Sequence, residues 1–155
     1  MCDRTRPAAG QLTSATAPRC LPSSGHGKQG EKASQFVIEN LPKILSEQAE
    51  IQSAPAQALK KAFVEVDKAL GKHMDASVSG TTAVCALMRG DTMWVANAGD
   101  SRAIVARRDP KGKLVTHDLT QDQKPDTPQE KERIERMGGR VSPAAADGTP
   151  VARAP

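Results

Sequence analysis

The stretch from Ser79 to Arg102 restricts the possible folds of this chain more than any other. It reads Ser-Gly-Thr-Thr-Ala-Val-Cys-Ala-Leu-Met, then Arg-Gly-Asp, then Thr-Met-Trp-Val-Ala-Asn-Ala-Gly-Asp-Ser-Arg. Two apolar runs, 81–88 and 92–96, flank three turn-forming residues, which is the pattern of a β-hairpin. Behind the second run stand Asn97, Gly99, a single acid, Asp100, and then Arg102. An acid at the end of a buried strand is costly unless a cation pairs with it, and Arg102 or a metal ion could do so. Asp100 is therefore the first candidate functional residue.

Composition limits what can be built around that hairpin. The chain has 155 residues, enough for one domain of ordinary size, and its only aromatic residues are Phe36, Phe63 and Trp94. Its core must then come from aliphatic side chains, which bury less area each. The net charge is +4, and part of that excess sits in Arg4, Arg6 and Arg19 near the start. A second basic cluster, Arg107, Arg108, Lys111 and Lys113, surrounds Asp109-Pro110-Lys111-Gly112. It reads as a solvated hairpin turn, because no aromatic residues are interleaved for stacking on bases; no nucleic-acid partner is expected.

Cys2, Cys20 and Cys85 are odd in number and share no ligand-like spacing. Cys85 lies inside an apolar run and reads as a small core residue, with no disulfide framework expected. That points to a reducing compartment, cytoplasm or nucleus. No apolar run approaches the ~18 residues needed to span a membrane. Residues 1–24 are rich in Pro, Ala, Ser and Thr, with a faint transit-peptide composition but no apolar helical face. They read as a disordered tail, and 142–155 as another.

Between the tails the period is first helical. A helix is expected over 30–48, with Pro42 kinking or restarting it, and a second over about 55–73 with Pro55 in its first turn. The hairpin follows, then strands at 103–107 and 113–117, together giving a four-stranded antiparallel meander. Thr127-Pro128-Gln129-Glu130 starts a last helix through a capping box, with Ile134 and Met137 facing inward and Gly138-Gly139 ending it. Helices followed by strands argue for an α+β fold, helices layered on an antiparallel sheet whose far face and edges are bare.

Several motifs share one order and spacing. They are Ser79-Gly80-Thr81-Thr82-Ala83, Ala98-Gly99-Asp100-Ser101-Arg102 and Leu119-Thr120-Gln121-Asp122-Gln123-Lys124-Pro125. Glu130-Lys131-Glu132-Arg133-Ile134 with Gly138-Gly139-Arg140-Val141 continues the series. Together these resemble the middle of the metal-dependent protein serine/threonine phosphatases of type 2C, and Gly25-His26-Gly27 with its following helix is similar to the segment just before. The resemblance covers about Gly25 to Arg153. It implies a partial α-β-β-α sandwich over 25–141, phosphoprotein substrates, and Mg²⁺ or Mn²⁺ ions that activate water and neutralise phosphate.

Carried over residue by residue, the resemblance gives Asp100 as ligand of an additional, weaker ion. It also gives Gly25 as a backbone-carbonyl ligand and His26 as a proton donor. Ser24 stands where the family has the aspartate that bridges two metals, and Leu21-Pro22-Ser23 before it reads as no strand. The family's upstream Arg and Glu have no counterpart, and Asp147-Gly148 imitates a later aspartate motif only as a loop. The catalytic ion pair is therefore not expected to bind usefully to this chain.

Two readings from different classes follow. One is a phosphatase incomplete as it stands; the other is a non-catalytic pseudophosphatase or decoy that binds phosphoproteins. Nucleotide binding ranks far below both. Gly25-His26-Gly27-Lys28-Gln29-Gly30 satisfies G-x-G-x-x-G but lacks the strand before it and the later acid of a dinucleotide site. Arg89-Gly90-Asp91 is a hairpin turn. His73 and His117 read as surface residues.

Overall fold

The computed structural model describes residues 3–5, 18–142 and 151–153. The chain forms two compact units, 1–121 and 122–155.

The first unit is a sheet backed by helices. Its strands are β1 (Asp3–Thr5), β2 (Pro18–His26), β3 (Gly80–Arg89) and β4 (Thr92–Ala98), antiparallel throughout in the order β1-β4-β3-β2. Helices α1 (Gly30–Glu47) and α2 (Pro55–His73) pack on the sheet and on each other. Period-2 alternation places Ala83, Cys85 and Leu87 of β3 in the core, where they meet Trp94 and Ala96 of β4. The helices supply the other half through residues at 3–4 spacing, notably Leu41 and Leu45 from α1 and Leu59 from α2, each fully buried. Trp94 also carries a cation above it: the Arg89 guanidinium lies 5.3 Å from its ring centroid and donates to the Gln52 carbonyl at 2.5 Å.

The helices match their expected spans, and α1 runs unbroken through Pro42, so the proline does not restart it. The ring removes the amide that would bond the Ile38 carbonyl, on a turn where Ile38 is 40% exposed. The larger correction concerns the chain before Gly25. Residues 18–26 form a strand where the sequence pattern shows none. Pro18 and Pro22 disguise it, yet β2 lies at the sheet edge, where a strand tolerates proline, with Pro18 its first residue and Pro22 at the register shift. A register shift between Pro22 and Gly25 breaks its alternation further.

The expected meander does not form either. Among the described residues, strands β5 (Ile104–Arg108) and β6 (Leu114–Asp118) pair only with each other, and the chain leaves β4 through Gly99 at φ 97°. The far face of the main sheet is not wholly bare, since Val95 is 2% exposed. A further correction is chemical: Cys85 is fully buried, as expected of a core residue, but it is disulfide-bonded. His73 and His117 are exposed, His73 stacked on Phe36 at 4.7 Å and His117 accepting from Arg107 Nε at 3.0 Å.

The second unit contains α3 (Pro128–Arg136), β7 (Arg140–Ser142) and β8 (Val151–Arg153), with β7 and β8 paired. Here Pro128 takes the first helical position, but the capping box is not made. Thr127 Oγ1 donates to the Lys124 carbonyl at 2.8 Å instead, and Glu130 binds Arg133 at 2.7 Å, which raises the Arg133 pKa. Ile134 is half-buried while Met137 is 70% exposed, so only one of the two faces inward. Strand β8 lies in sequence without a strand pattern. Asp147-Gly148 falls outside the described residues.

Candidate functional site

Antiparallel pairing gathers the candidate residues at one end of the main sheet. Strand β2 runs towards that end and finishes at His26, β3 begins there at Gly80, and β4 finishes there at Ala98. The register sets Gly25 opposite Thr81 and His26 opposite Gly80, with Ala83 opposite Ala98 on the next strand. Gly25, His26 and the loop bearing Asp100 thus share one sheet end, although 74 positions separate His26 from Asp100 in sequence.

The turn from β2 into α1 needs glycine for steric reasons. A Cβ on Gly25 would collide with the Gly30 backbone, and one on Gly30 with Gly25. Gly27 sits at φ 78°, and a Cβ there would run into the Val78 carbonyl and approach Ser79 Oγ to 2.7 Å. Ser79, 8% exposed, accepts a hydrogen bond from the Gln29 amide at 3.2 Å and so ties the start of α1 to the start of β3. These glycines let two backbones touch; that role is independent of any carbonyl ligand at Gly25. His26 itself is exposed.

On the other side, the loop after β4 is fastened from three directions. Asn97 Nδ2 donates to the Gly99 carbonyl at 2.9 Å and to the Gln121 carbonyl at 3.3 Å. The hydroxyls of Thr82 and Ser101 share a hydrogen bond at 2.6 Å. The Ala103 amide donates to Thr120 Oγ1 at 2.9 Å. Gly99 is required here as well, since a Cβ would stand 2.5 Å from Thr82 Cγ2. The result is a fixed loop that presents Asp100 to solvent. Thr82, Ser101 and Thr120 fall within the sequence motifs, but nothing local in the sequence assigns them a role. Their signal was a cluster of hydroxyl residues flanking a lone acid, and it becomes legible only when register brings 82 beside 101.

What this end can hold is limited by its donors. Divalent Mg²⁺ and Mn²⁺ need several oxygen ligands, mostly carboxylates. Among the described residues, no group of three or more His, Cys, Asp or Glu side chains could hold a metal ion. Asp100 is the acid contributed by β4's loop, and Gly25 offers a carbonyl. That set does not fit a two-ion centre.

Comparison with known proteins gives this arrangement a context. Residues 19–154 match the family described as "Protein phosphatase 2C". A probable protein phosphatase 2C 35 of Arabidopsis thaliana is 42% identical over 118 residues, covering 76% of this chain and 34% of the relative. Protein phosphatase 2C 1 of Paramecium tetraurelia is 36% identical over 138 residues, covering 80% and 44%. The chain thus spans between a third and a half of these relatives. The crystal structure of a serine-threonine phosphatase 2C from Toxoplasma gondii superposes with a TM-score of 0.69 at 20% identity, over 99% of this chain and 64% of that one. That likeness speaks for the fold, an α+β arrangement of helices and antiparallel sheets. Among the described residues, no helix is long and apolar enough to cross a membrane.

Proposed function

Because the chain belongs to the protein phosphatase 2C family, we propose that the sheet end bearing Gly25, His26 and Asp100 is one part of a metal-dependent phosphoserine/phosphothreonine phosphatase site. We propose equally that these 155 residues do not complete it. The observation that carries both halves is the loop of Asp100. It is held by the Thr82–Ser101 hydroxyl pair and by Asn97, which is the support a ligand carboxylate needs, yet it brings one acid where an ion pair needs several.

The ions, Mg²⁺ or Mn²⁺ by family, would supply charge neutralisation and water activation when bound. This chain's own residues have narrower roles. Asp100 would offer a carboxylate oxygen to an additional ion, and Gly25 its carbonyl. His26 would give a proton to the departing serine or threonine oxygen, as an imidazole N–H can serve as a general acid. Ser24 cannot replace a bridging aspartate, because a neutral hydroxyl does not balance two dications.

The test is turnover of a phosphothreonine peptide by the purified chain in millimolar Mn²⁺, with Asp100→Ala as control. No turnover above the variant is expected. Mn²⁺-dependent turnover that disappears in the variant would show that the chain completes its own site, and would refute the second half of the reading.

A further inference from the structure

Strand β2 is poorly held by its backbone. It lies at the edge of the sheet, so among the described residues only β3 pairs with it. Pro18 and Pro22 have no amide to donate, and the register shifts between Pro22 and Gly25. Yet this strand carries Gly25 and His26. Two further observations bear on how it stays in place. Cys85 is fully buried and disulfide-bonded, and the residue opposite it in the antiparallel register is Cys20.

We propose that Cys20 and Cys85 form a cross-strand disulfide that staples the edge strand β2 to β3 and makes its attachment redox-dependent. Directly opposed antiparallel residues have Cα atoms about 4.5 or 5.5 Å apart, depending on the pair type. A disulfide spans Cα separations of about 4.4–6.8 Å, so either type accommodates one. The tie lies on the N-terminal side of the register shift, where Pro18 and Pro22 flank it. It therefore adds a covalent link where the ladder is weakest. Forming it removes two electrons and two protons from the two thiols; oxidised glutathione accepts them and leaves as two reduced glutathiones. Because Cys85 is fully buried, a reductant reaches the bond only when β2 lifts, so the oxidised state persists once made.

The test follows the bond and the strand, and neither readout needs phosphatase activity. The full chain is equilibrated with oxidised glutathione, trapped by alkylation and digested with trypsin. The expected product joins peptide 20–28 to peptide 73–89. A link from 73–89 to the peptide containing Cys2, or two free alkylated thiols, overturns the proposal. Hydrogen exchange then reads the strand. Amides of 18–26 should exchange about tenfold faster after dithiothreitol is added, with no such change in Cys20→Ser. Equal rates before and after reduction in the unsubstituted chain would show that the bond does not hold β2, and would overturn the staple.

Discussion

The hairpin β3–β4 and the hairpin β5–β6 begin from the same local ingredients and end in opposite environments. Each joins two short strands through a turn with a glycine at positive φ, Gly90 at 54° and Gly112 at 80°. In the first, alternate residues of β3 are buried, Leu87 at 1% exposure, and β4 buries three in a row, Trp94, Val95 and Ala96. In the second, Ile104 and Leu114 are 58% and 60% exposed, and the strands bury no residue fully. The turn at Asp109–Gly112 is nonetheless well made, with Asp109 Oδ1 accepting from the Lys111 and Lys113 amides at 2.9 Å each. Hairpin formation is thus decided by turn chemistry and alternation, whereas burial is decided by what stands against the strands. For β3–β4 that is the pair of helices.

A matched truncation in the two hairpins should give the largest difference. Leu87→Ala should cost about 2–5 kcal/mol in urea unfolding, the usual range for emptying a core leucine site. Leu114→Ala should stay within about 0.5 kcal/mol. Equal costs would mean that β5–β6 is buried in solution. A smaller contrast lies in the glycines. Gly99→Ala forces a positive φ and meets Thr82 Cγ2, so a loss of about 1–3 kcal/mol is expected. Gly112→Ala has the same conformational handicap with open space around it, and should cost less, about 1 kcal/mol. The order of the two melting temperatures checks this.

Of the same size as Gly112→Ala is Thr82→Val, which deletes one partner of the hydroxyl pair under the Asp100 loop and should cost about 1 kcal/mol. The smallest effect is in acid. Glu50 has its pKa lowered, chiefly by the hydrogen bond from Lys61. A carboxylate depressed in the folded state adds stability above its ordinary pKa and loses it as pH falls through the folded value. The unsubstituted chain should therefore lose slightly more stability than Lys61→Met between neutral pH and pH ~3. Parallel pH profiles for the two would remove that ion pair from the account.

Much of this was legible in the sequence because it is local. The helices announce themselves at 3–4 spacing, the two hairpins by their turns, and the Pro128 start by its position. What stayed hidden depends on pairing across distance. Strand β2 carries prolines and a register shift, and only its place at the edge makes it a strand. Cys85 looks like any small core residue until Cys20 is set opposite it. At the site, the motifs picked out Asp100 and His26, but motif matching cannot say why Gly25 is glycine. The answer, contact with Gly30, follows from the path of the chain.

On the proposed reading, this sheet end supplies part of a metal site and not the whole. Manganese binding, followed by electron paramagnetic resonance of free Mn²⁺ against added chain, tests it most directly. At most about one ion is expected, held at roughly millimolar strength and lost in Asp100→Ala. About two ions bound at micromolar concentration would contradict it.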